Sequence, residues 1–222
     1  MRIMKAVVCD DFNDGSVEEV PRPEPAAHEL LVRVDRVQLS VTECYLYRGE
    51  EFAFFEKVKE RMHEGDGRLF GHEFCGTVVE AGDGVVDFAE GDRVYAPNAI
   101  SCGDCVHCRN DYPGFCDEKT HIGFQRPGAL AEYVALPPEA LGKLPDGVDD
   151  AQGAAMQPLA ASMVNVHDAD ISTGDVVAVV GAGVMGNECG QLAAHMGASE
   201  VFAIDIDPNN VALGGYSMGG YG

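Results

Sequence analysis

The sequence predicts a mixed fold, α/β plus β, in which a β-rich domain precedes the first part of an α/β domain with a parallel sheet. Short strand candidates separated by glycine, proline and aspartate fill residues 3 to 150. After Leu144 the pattern changes to continuous apolar runs that alternate with helices. The 222 residues suffice for one large or two small domains. Because the pattern changes after Leu144, we place a boundary near residue 150, between regions 1–150 and 151–222.

Five short segments of the first region are strand candidates, and their β-branched residues and flanking turns predict a barrel or a sandwich. They are Met4–Cys9, Glu29–Leu39, Cys75–Glu80, Asp92–Ala96 and Ala129–Leu136. One helix interrupts them, because Phe52, Phe55 and Met62 recur at helical spacing before the glycines at 65 and 67.

The second region predicts a βαβ unit. Ala151–Val166 is rich in alanine and methionine and is expected to be a helix. Val176–Val180 is a continuous apolar run, which predicts a buried parallel strand. A glycine-rich loop, a helix to about Met196 and a second apolar strand at Val201–Ile204 complete the unit.

The C-terminal residues are unusual for the end of such a domain. Asp207-Pro208 predicts the start of a helix, and the segment GGYSMGGYG at 214–222 follows it closely. A two-stranded parallel sheet cannot bury both of its faces. The sequence therefore predicts either a C-terminally incomplete chain or completion of the sheet by something else.

The chain is strongly acidic, with 37 acidic against 15 basic residues and a net charge of −22. Such a surface repels nucleic acid and anionic membranes, so neither is an expected partner. The sequence contains no apolar run of transmembrane length and no signal peptide, which favours a cytoplasmic location. The excess of carboxylates favours a halophilic, salt-adapted cytoplasm.

Four of the eight cysteines lie in one short segment, at Cys102, Cys105, Cys108 and Cys116. Four soft thiolates on a compact loop suit a tetrahedral Zn²⁺ without an open position, which is a structural site. We expect a zinc lobe at about 98–120. The other cysteines are scattered and are interpreted as packing residues.

The glycine-rich loop has the pattern G-x-G-x-x-G at 181–186, between an apolar strand and a helix. Asp205 follows 19 positions after Gly186, near the spacing of an acid that binds the adenosine ribose. This context predicts a dinucleotide site, in which a carboxylate at 205 favours NAD over NADP. The predicted cofactor-binding residues are Gly181, Gly183, Val184, Met185, Gly186 and Asp205.

Together these segments resemble the zinc-containing medium-chain alcohol dehydrogenase family, including its sorbitol and threonine dehydrogenase branches. The resemblance covers about residues 3 to 210 and rests on GHE at 71–73, GDRV at 91–94, the four cysteines, GALAEY at 128–133 and GAGVMG at 181–186. It implies a GroES-like β-barrel catalytic domain followed by a partial Rossmann domain. It also implies oxidation of a small alcohol or polyol with hydride transfer to NAD(P), and a homo-oligomer for a full-length relative.

The resemblance also implies a second, catalytic zinc. Its ligand positions fall on Ser40, His72 and Gln157, with Glu73 beside His72. A neutral hydroxyl and a neutral amide thus replace charged ligands. The resemblance further implies catalytic roles for residues of the same segment: a relay hydroxyl at Thr42, an acid that orients His72 at Glu43, and Tyr45 at the position of a relay histidine.

Two alternatives remain open on the sequence. Ser40 and Tyr45 favour a zinc-independent medium-chain reductase, in which Tyr45 donates a proton directly. The glycine-rich end favours a truncated and inactive fragment of such a dehydrogenase.

Overall fold

The computed structural model of the protein describes residues 2–64, 66–97 and 99–207. The chain divides into two compact units, Met1–Gln157 and Pro158 onward, whereas the sequence placed the boundary near residue 150. No helix within the described ranges is long and apolar enough to cross a membrane. The helix expected after Asp207 lies outside the described residues.

An antiparallel sheet of five strands forms the centre of the first unit. Its order is β8-β3-β4-β5-β9, with strands Tyr133–Leu136, Leu30–Gln38, Glu73–Ala81, Arg93–Tyr95 and Gly142–Lys143 respectively. Leu30, Val32, Phe74, Val78 and Val94 are all buried at or below 1% exposure and form the main core. The predicted strands at 29–39, 75–80, 92–96 and 129–136 are therefore confirmed, with ends shifted by a few residues.

The N-terminal hairpin joins β1 (Ile3–Asp11) to β2 (Asp14–Pro21) in antiparallel register. A bridge between Ala6 and Ala131 connects β1 to the segment before β8. The sequence predicted β1 but missed β2. Almost every residue of β2 is exposed, so it lacks the apolar alternation that identifies a strand.

Two helices of the first unit pack near the start of β4. The first, α1 (Val41–Tyr47), was not predicted, whereas α2 (Phe55–Glu64) is the helix expected from its apolar spacing. Val58 and Met62 of α2 are buried in a second core. The other buried members of this core are Cys9, Leu46, Leu69, Phe70 and Phe124.

A small lobe projects from the first unit between two short paired strands. These strands, β6 (Ala99–Ile100) and β7 (Thr120–His121), pair antiparallel and close the base of the lobe. Within it lie the short helix α3 (Val106–Arg109) and a 3-10 turn at Pro113–Phe115.

The helix predicted at 151–166 is interrupted at Ala155. It consists of α4 (Asp150–Ala154), which a capping box opens at Asp149, and α5 (Met156–Asp168). The second unit continues with β10 (Val176–Val180), α6 (Val184–His195) and β11 (Glu200–Ile204). The two strands are parallel, so the predicted βαβ unit is confirmed.

The expectation that β10 is buried on both faces is wrong for the described residues. Its inner side packs with Val201, Ala193 and Val166, whereas Val180 is 87% exposed. On β11, Phe202 and Ile204 are more than half exposed. The helices described here cover only one face of the two strands, so alternate apolar side chains face solvent.

Candidate functional site

The sulfur atoms of Cys102, Cys105, Cys108 and Cys116 lie within 4.8 Å of one another. The sulfur of Cys108 lies 3.5 Å from that of Cys105 and 4.0 Å from that of Cys102. A tetrahedral zinc with Zn–S bonds of about 2.3 Å places its thiolates roughly 3.8 Å apart. The four side chains therefore already have the spacing that zinc requires.

The backbone of the lobe stabilises negative charge on three of these sulfurs, whereas burial and the contact with Cys105 raise the pKa of Cys108 to about 12. The N–H of Cys105 donates to the Cys102 sulfur, and the N–H of Cys108 donates to the Cys105 sulfur, at 3.3 and 3.5 Å. The bond from Cys108 lowers the pKa of Cys105 to about 6. The N–H of Cys102 similarly donates to Cys116 at 3.3 Å. Thiolates are the form that binds zinc, so this donor set fits a structural ion.

A second group of polar residues lies at the start of β4. Gly71 has φ +80°, and an added Cβ there would lie 2.4 Å from the backbone nitrogen of Leu130. Only glycine fits this close turn, which delivers His72 to the beginning of the strand. His72 is 5% exposed.

Glu43 holds the imidazole of His72 in one orientation. Its Oε1 lies 2.8 Å from His72 Nδ1 and accepts bonds from the backbone N–H groups of Gly71 and His72 at 2.6 and 3.2 Å. Glu43 is 2% exposed. Hydrogen bonding at Nδ1 leaves Nε2 as the ring nitrogen that faces other groups.

Three further residues lie around His72: Glu73, Gln38 and Phe124. Of these, the sequence alone identifies only Glu73. His72 Nε2 lies 3.6 Å from Glu73 Oε1, and Gln38 donates to Glu73 Oε2 at 2.8 Å. The ring of Phe124 lies 4.9 Å from that of His72. Gln38 and Phe124 are far from His72 in the sequence and carry no motif, so only the fold reveals them.

Ser40 acts as the N-cap of α1. Its hydroxyl accepts the N–H of Glu43 at 3.1 Å, and Glu43 Oε2 accepts the N–H of Ser40 at 3.0 Å, which forms a capping box. Thr42 and Tyr45 lie on the same helix and are half-buried, and the Tyr45 ring lies 5.8 Å from that of Phe52.

Gln157 lies at the second position of α5 and is half-buried. The two cysteines near the expected ligand positions have other surroundings. Cys44 is exposed, whereas Cys75 is buried and its thiol donates to the backbone oxygen of Asp150 at 3.1 Å. Burial and the nearby Asp150 carboxylate raise the pKa of Cys75 to about 11. Cys75 is therefore a protonated packing residue.

The residues expected to hold a catalytic zinc do not fit that ion. Catalytic zinc sites use three protein ligands drawn from cysteine, histidine and carboxylates. Across the described ranges, the four-cysteine cluster is the only place where three or more such groups come together. His72 and Glu73 supply two ligand atoms, while Ser40 and Gln157 carry no charge.

Replacing Glu43 by glutamine is expected to destabilise the first unit by about 2 kcal/mol, because one buried oxygen that accepts a backbone N–H becomes a donor. Urea unfolding measures this change. Glu60→Gln is the control, since its pair with Lys57 is more than half exposed and should contribute under about 0.5 kcal/mol. Equal stability losses in both variants would show that Glu43 does not organise the turn at His72.

The glycine-rich loop lies between β10 and α6. Gly181 has φ +98°, and Gly183 is the N-cap of α6. A Cβ at Gly186 would lie 1.7 Å from the backbone oxygen of Gly181, whereas a Cβ at Gly183 would meet nothing within 4 Å. Gly186 therefore permits close packing of helix and loop, and Gly183 leaves open space at the helix N-terminus, where a phosphate group binds favourably.

Asp205 lies directly after β11 beside this loop. Its Oδ2 accepts the N–H of Ala182 at 2.7 Å, and its Oδ1 accepts the N–H of Asp207 at 2.8 Å. These bonds fix the carboxylate next to the glycine loop. Val184 and Met185 begin α6, and both are more than a third exposed.

Comparison with known proteins agrees with this architecture. Residues 26–146 match the family described as the alcohol dehydrogenase GroES-like domain. An L-threonine 3-dehydrogenase of Coxiella burnetii is 31% identical over 197 residues, which are 89% of this chain and 55% of that protein.

Two solved structures share the fold. One is a candidate zinc-binding dehydrogenase of Sinorhizobium meliloti bound to NADP, with 34% identity, a TM-score of 0.82, and coverage of 95% of this chain and 58% of that one. The other is an alcohol dehydrogenase from Thermus sp. ATN1, with 30% identity, a TM-score of 0.81, and coverage of 93% and 59%.

The chain thus spans between half and two thirds of the length of these proteins. The family match nevertheless covers more than half of the chain itself. The chain belongs to the alcohol dehydrogenase family with a GroES-like domain, the zinc-containing medium-chain alcohol dehydrogenases.

Proposed function

We propose that the protein is a nicotinamide-dependent dehydrogenase that oxidises a small alcohol or polyol. The observation that carries the proposal is the glycine loop, where Gly186 packs against Gly181, Gly183 opens the helix N-terminus and Asp205 lies alongside. This combination suits a dinucleotide, because the loop admits a pyrophosphate and the carboxylate can accept hydrogen bonds from a ribose. The chain spans 55% of the length of its threonine dehydrogenase relative, so this activity is proposed for the protein as a whole.

In this proposal the first unit handles the alcohol. Glu43 is a positioning residue, because its carboxylate fixes the imidazole of His72 at 2.8 Å and the backbone of the turn. Thr42 and Tyr45 are the proposed proton carriers, since both are half-buried hydroxyls on α1, the helix that also carries Glu43.

The second unit handles the nucleotide. Gly181, Gly183 and Gly186 shape the loop, and Val184 and Met185 would offer the first backbone N–H groups of α6 to the phosphates. A nicotinamide dinucleotide held by this loop would supply the acceptor for the hydride of the alcohol carbon. The residues of this unit contribute binding and orientation.

The four-cysteine cluster is the proposed structural zinc site. Cys102, Cys105, Cys108 and Cys116 would occupy all four positions of a tetrahedral ion, so no position remains for a substrate. Its role is to stabilise the fold of the lobe. We also propose a cytoplasmic location, because cysteines clustered at metal-ligand spacing are typical of a reducing compartment.

The proposed preference for NAD over NADP depends on Asp205. We expect NADH to bind at least about tenfold more tightly than NADPH, because the carboxylate of Asp205 repels the 2′-phosphate of NADPH. Asp205→Ala should lower the affinity for NADH and narrow the difference between the two nucleotides. Fluorescence titration measures both constants, and equal binding of NADH and NADPH by the unmodified protein would contradict the assignment.

The net charge of −22 leads to a proposed adaptation to high salt. Raising KCl from about 0.1 M to 1 M shortens the screening length from roughly 10 Å to 3 Å. We therefore expect the thermal unfolding midpoint to rise by several degrees, because repulsion among carboxylates weakens. A midpoint that falls with KCl would refute salt adaptation.

The activity is tested by alcohol-dependent reduction of NAD⁺. Purified protein is assayed with polyols, simple secondary alcohols and L-threonine, the last because one relative is named for it. We expect reduction with at least one compound, and its loss in His72→Ala. If the protein binds NADH but reduces NAD⁺ with none of these alcohols, the proposed activity does not belong to this chain.

A further inference from the structure

The surroundings of His72 offer few atoms to a metal ion. Glu43 Oε1 already faces the backbone N–H groups of Gly71 and His72 and the ring Nδ1 of His72. Its Oε2 accepts the backbone N–H of Ser40. A carboxylate engaged on both oxygens is not a ready ligand. On the other side of the ring, His72 Nε2 lies 3.6 Å from Glu73 Oε1, and these two are the ligand-type atoms that meet there.

The two other expected ligand positions do not complete this pair. The hydroxyl of Ser40 accepts the N–H of Glu43 at 3.1 Å and caps α1, a local role that the sequence explains without any metal. Gln157 offers a neutral amide. Zinc in proteins is held by thiolate, imidazole and carboxylate groups, and no third such group joins His72 and Glu73 among the described residues.

The four-cysteine cluster provides the contrast within the same chain. It places four ionisable sulfurs within 4.8 Å, with backbone N–H groups donating to Cys102, Cys105 and Cys116. We propose that the protein holds one zinc ion per chain, in this cluster, and that the neutral side chains at Ser40 and Gln157 keep zinc out of the His72 site. The inference concerns metal content and stands apart from the dehydrogenase activity.

The zinc content of the full chain tests this inference. After passage over a chelating resin that removes loosely held metal, elemental analysis should find about one zinc per chain. Cys105→Ser should lose that ion, whereas His72→Ala should keep it. Two zinc ions in the unmodified protein, or one ion that His72→Ala loses and Cys105→Ser keeps, would overturn the inference.

A variant that adds ligands tests whether the neutral side chains at Ser40 and Gln157 are what excludes zinc. Ser40→Cys combined with Gln157→Glu introduces a thiolate and a carboxylate at the two positions where the family resemblance implies further metal ligands. We expect its zinc content to rise from about one to about two ions per chain. A further His72→Ala change should return the content to one. A double variant that stays at one ion would overturn the claim that the side chains at 40 and 157 exclude zinc.

The metal count and the enzyme assay test two separate proposals, and either proposal can be contradicted without the other. A second zinc at His72 would refute the inference and leave hydride transfer intact. Conversely, absence of NAD⁺ reduction with one zinc in the cluster would refute the proposed activity and leave the inference standing.

Discussion

Replacing Cys116 by serine is expected to weaken zinc binding strongly and to loosen the lobe between β6 and β7. Cys116 is 7% exposed and its sulfur accepts the N–H of Cys102, so the change removes both a ligand and a contact across the lobe. Structural zinc sites bind with about 10–16 kcal/mol in small peptides, so one ligand in four accounts for roughly 3 kcal/mol, or about 100-fold in affinity.

Zinc analysis and limited proteolysis measure this effect together. Loss of zinc should expose backbone near Cys102–Cys116 to cleavage, because a single short strand pair closes the base of the lobe, with Ala99 opposite His121 and Ile100 opposite Thr120. Cys44→Ser is the control, since Cys44 is exposed and lies outside the lobe. A Cys116→Ser protein that binds zinc as tightly as the unmodified protein and equally resists the protease would show that Cys116 is not a zinc ligand.

Replacing Gly186 by alanine is expected to destabilise the second unit by about 3 kcal/mol or more. The new Cβ would lie 1.7 Å from the backbone oxygen of Gly181, so helix and loop must separate. Clashes in packed interiors typically cost about 1–3 kcal/mol, and a contact with backbone is harder to relieve than one with a flexible side chain.

Gly183→Ala provides a matched control three residues away. Gly183 has φ −69°, and a Cβ there meets nothing within 4 Å, so its stability should change by under about 0.5 kcal/mol. Chemical unfolding of the two variants measures the contrast. Similar losses in both would mean that close packing at Gly186 does not hold the loop.

The sequence predicted those parts of the fold that bury a regular apolar pattern. β10 was placed with its exact residues, and β4 and β3 within two residues at each end, because their apolar side chains alternate or run continuously. The close spacing of the four cysteines along the chain predicted that their sulfur atoms lie together, because a loop this short cannot carry them far apart.

The elements that the sequence missed carry weaker or competing signals. β2 buries almost nothing and depends on β1 for its hydrogen bonds. The short helix α1 has no apolar stripe, and its signal is the pair Ser40 and Glu43 at capping-box spacing. Ser40 also stands at a position where the family resemblance implies a metal ligand, and the capping role is the one that the structure shows.

The arrangement at His72 was predictable only in part. Placement of Glu43 beside His72 followed from the resemblance, and the two side chains lie 2.8 Å apart. Gln38 reaches Glu73 because β3 and β4 pair there, with Gln38 opposite Glu73. Such cross-strand neighbours depend on register, which a single sequence does not specify at this point.

The central claim is that the second unit binds a nicotinamide dinucleotide at its glycine loop. The affinity for NADH tests this claim most directly. Titration of the unmodified protein should give saturable binding at one site per chain. Gly183→Ala should bind at least about tenfold more weakly while remaining folded, because its Cβ occupies the space left for the pyrophosphate. Equal affinity in both proteins, or no saturable binding of NADH by the unmodified protein, would contradict the account.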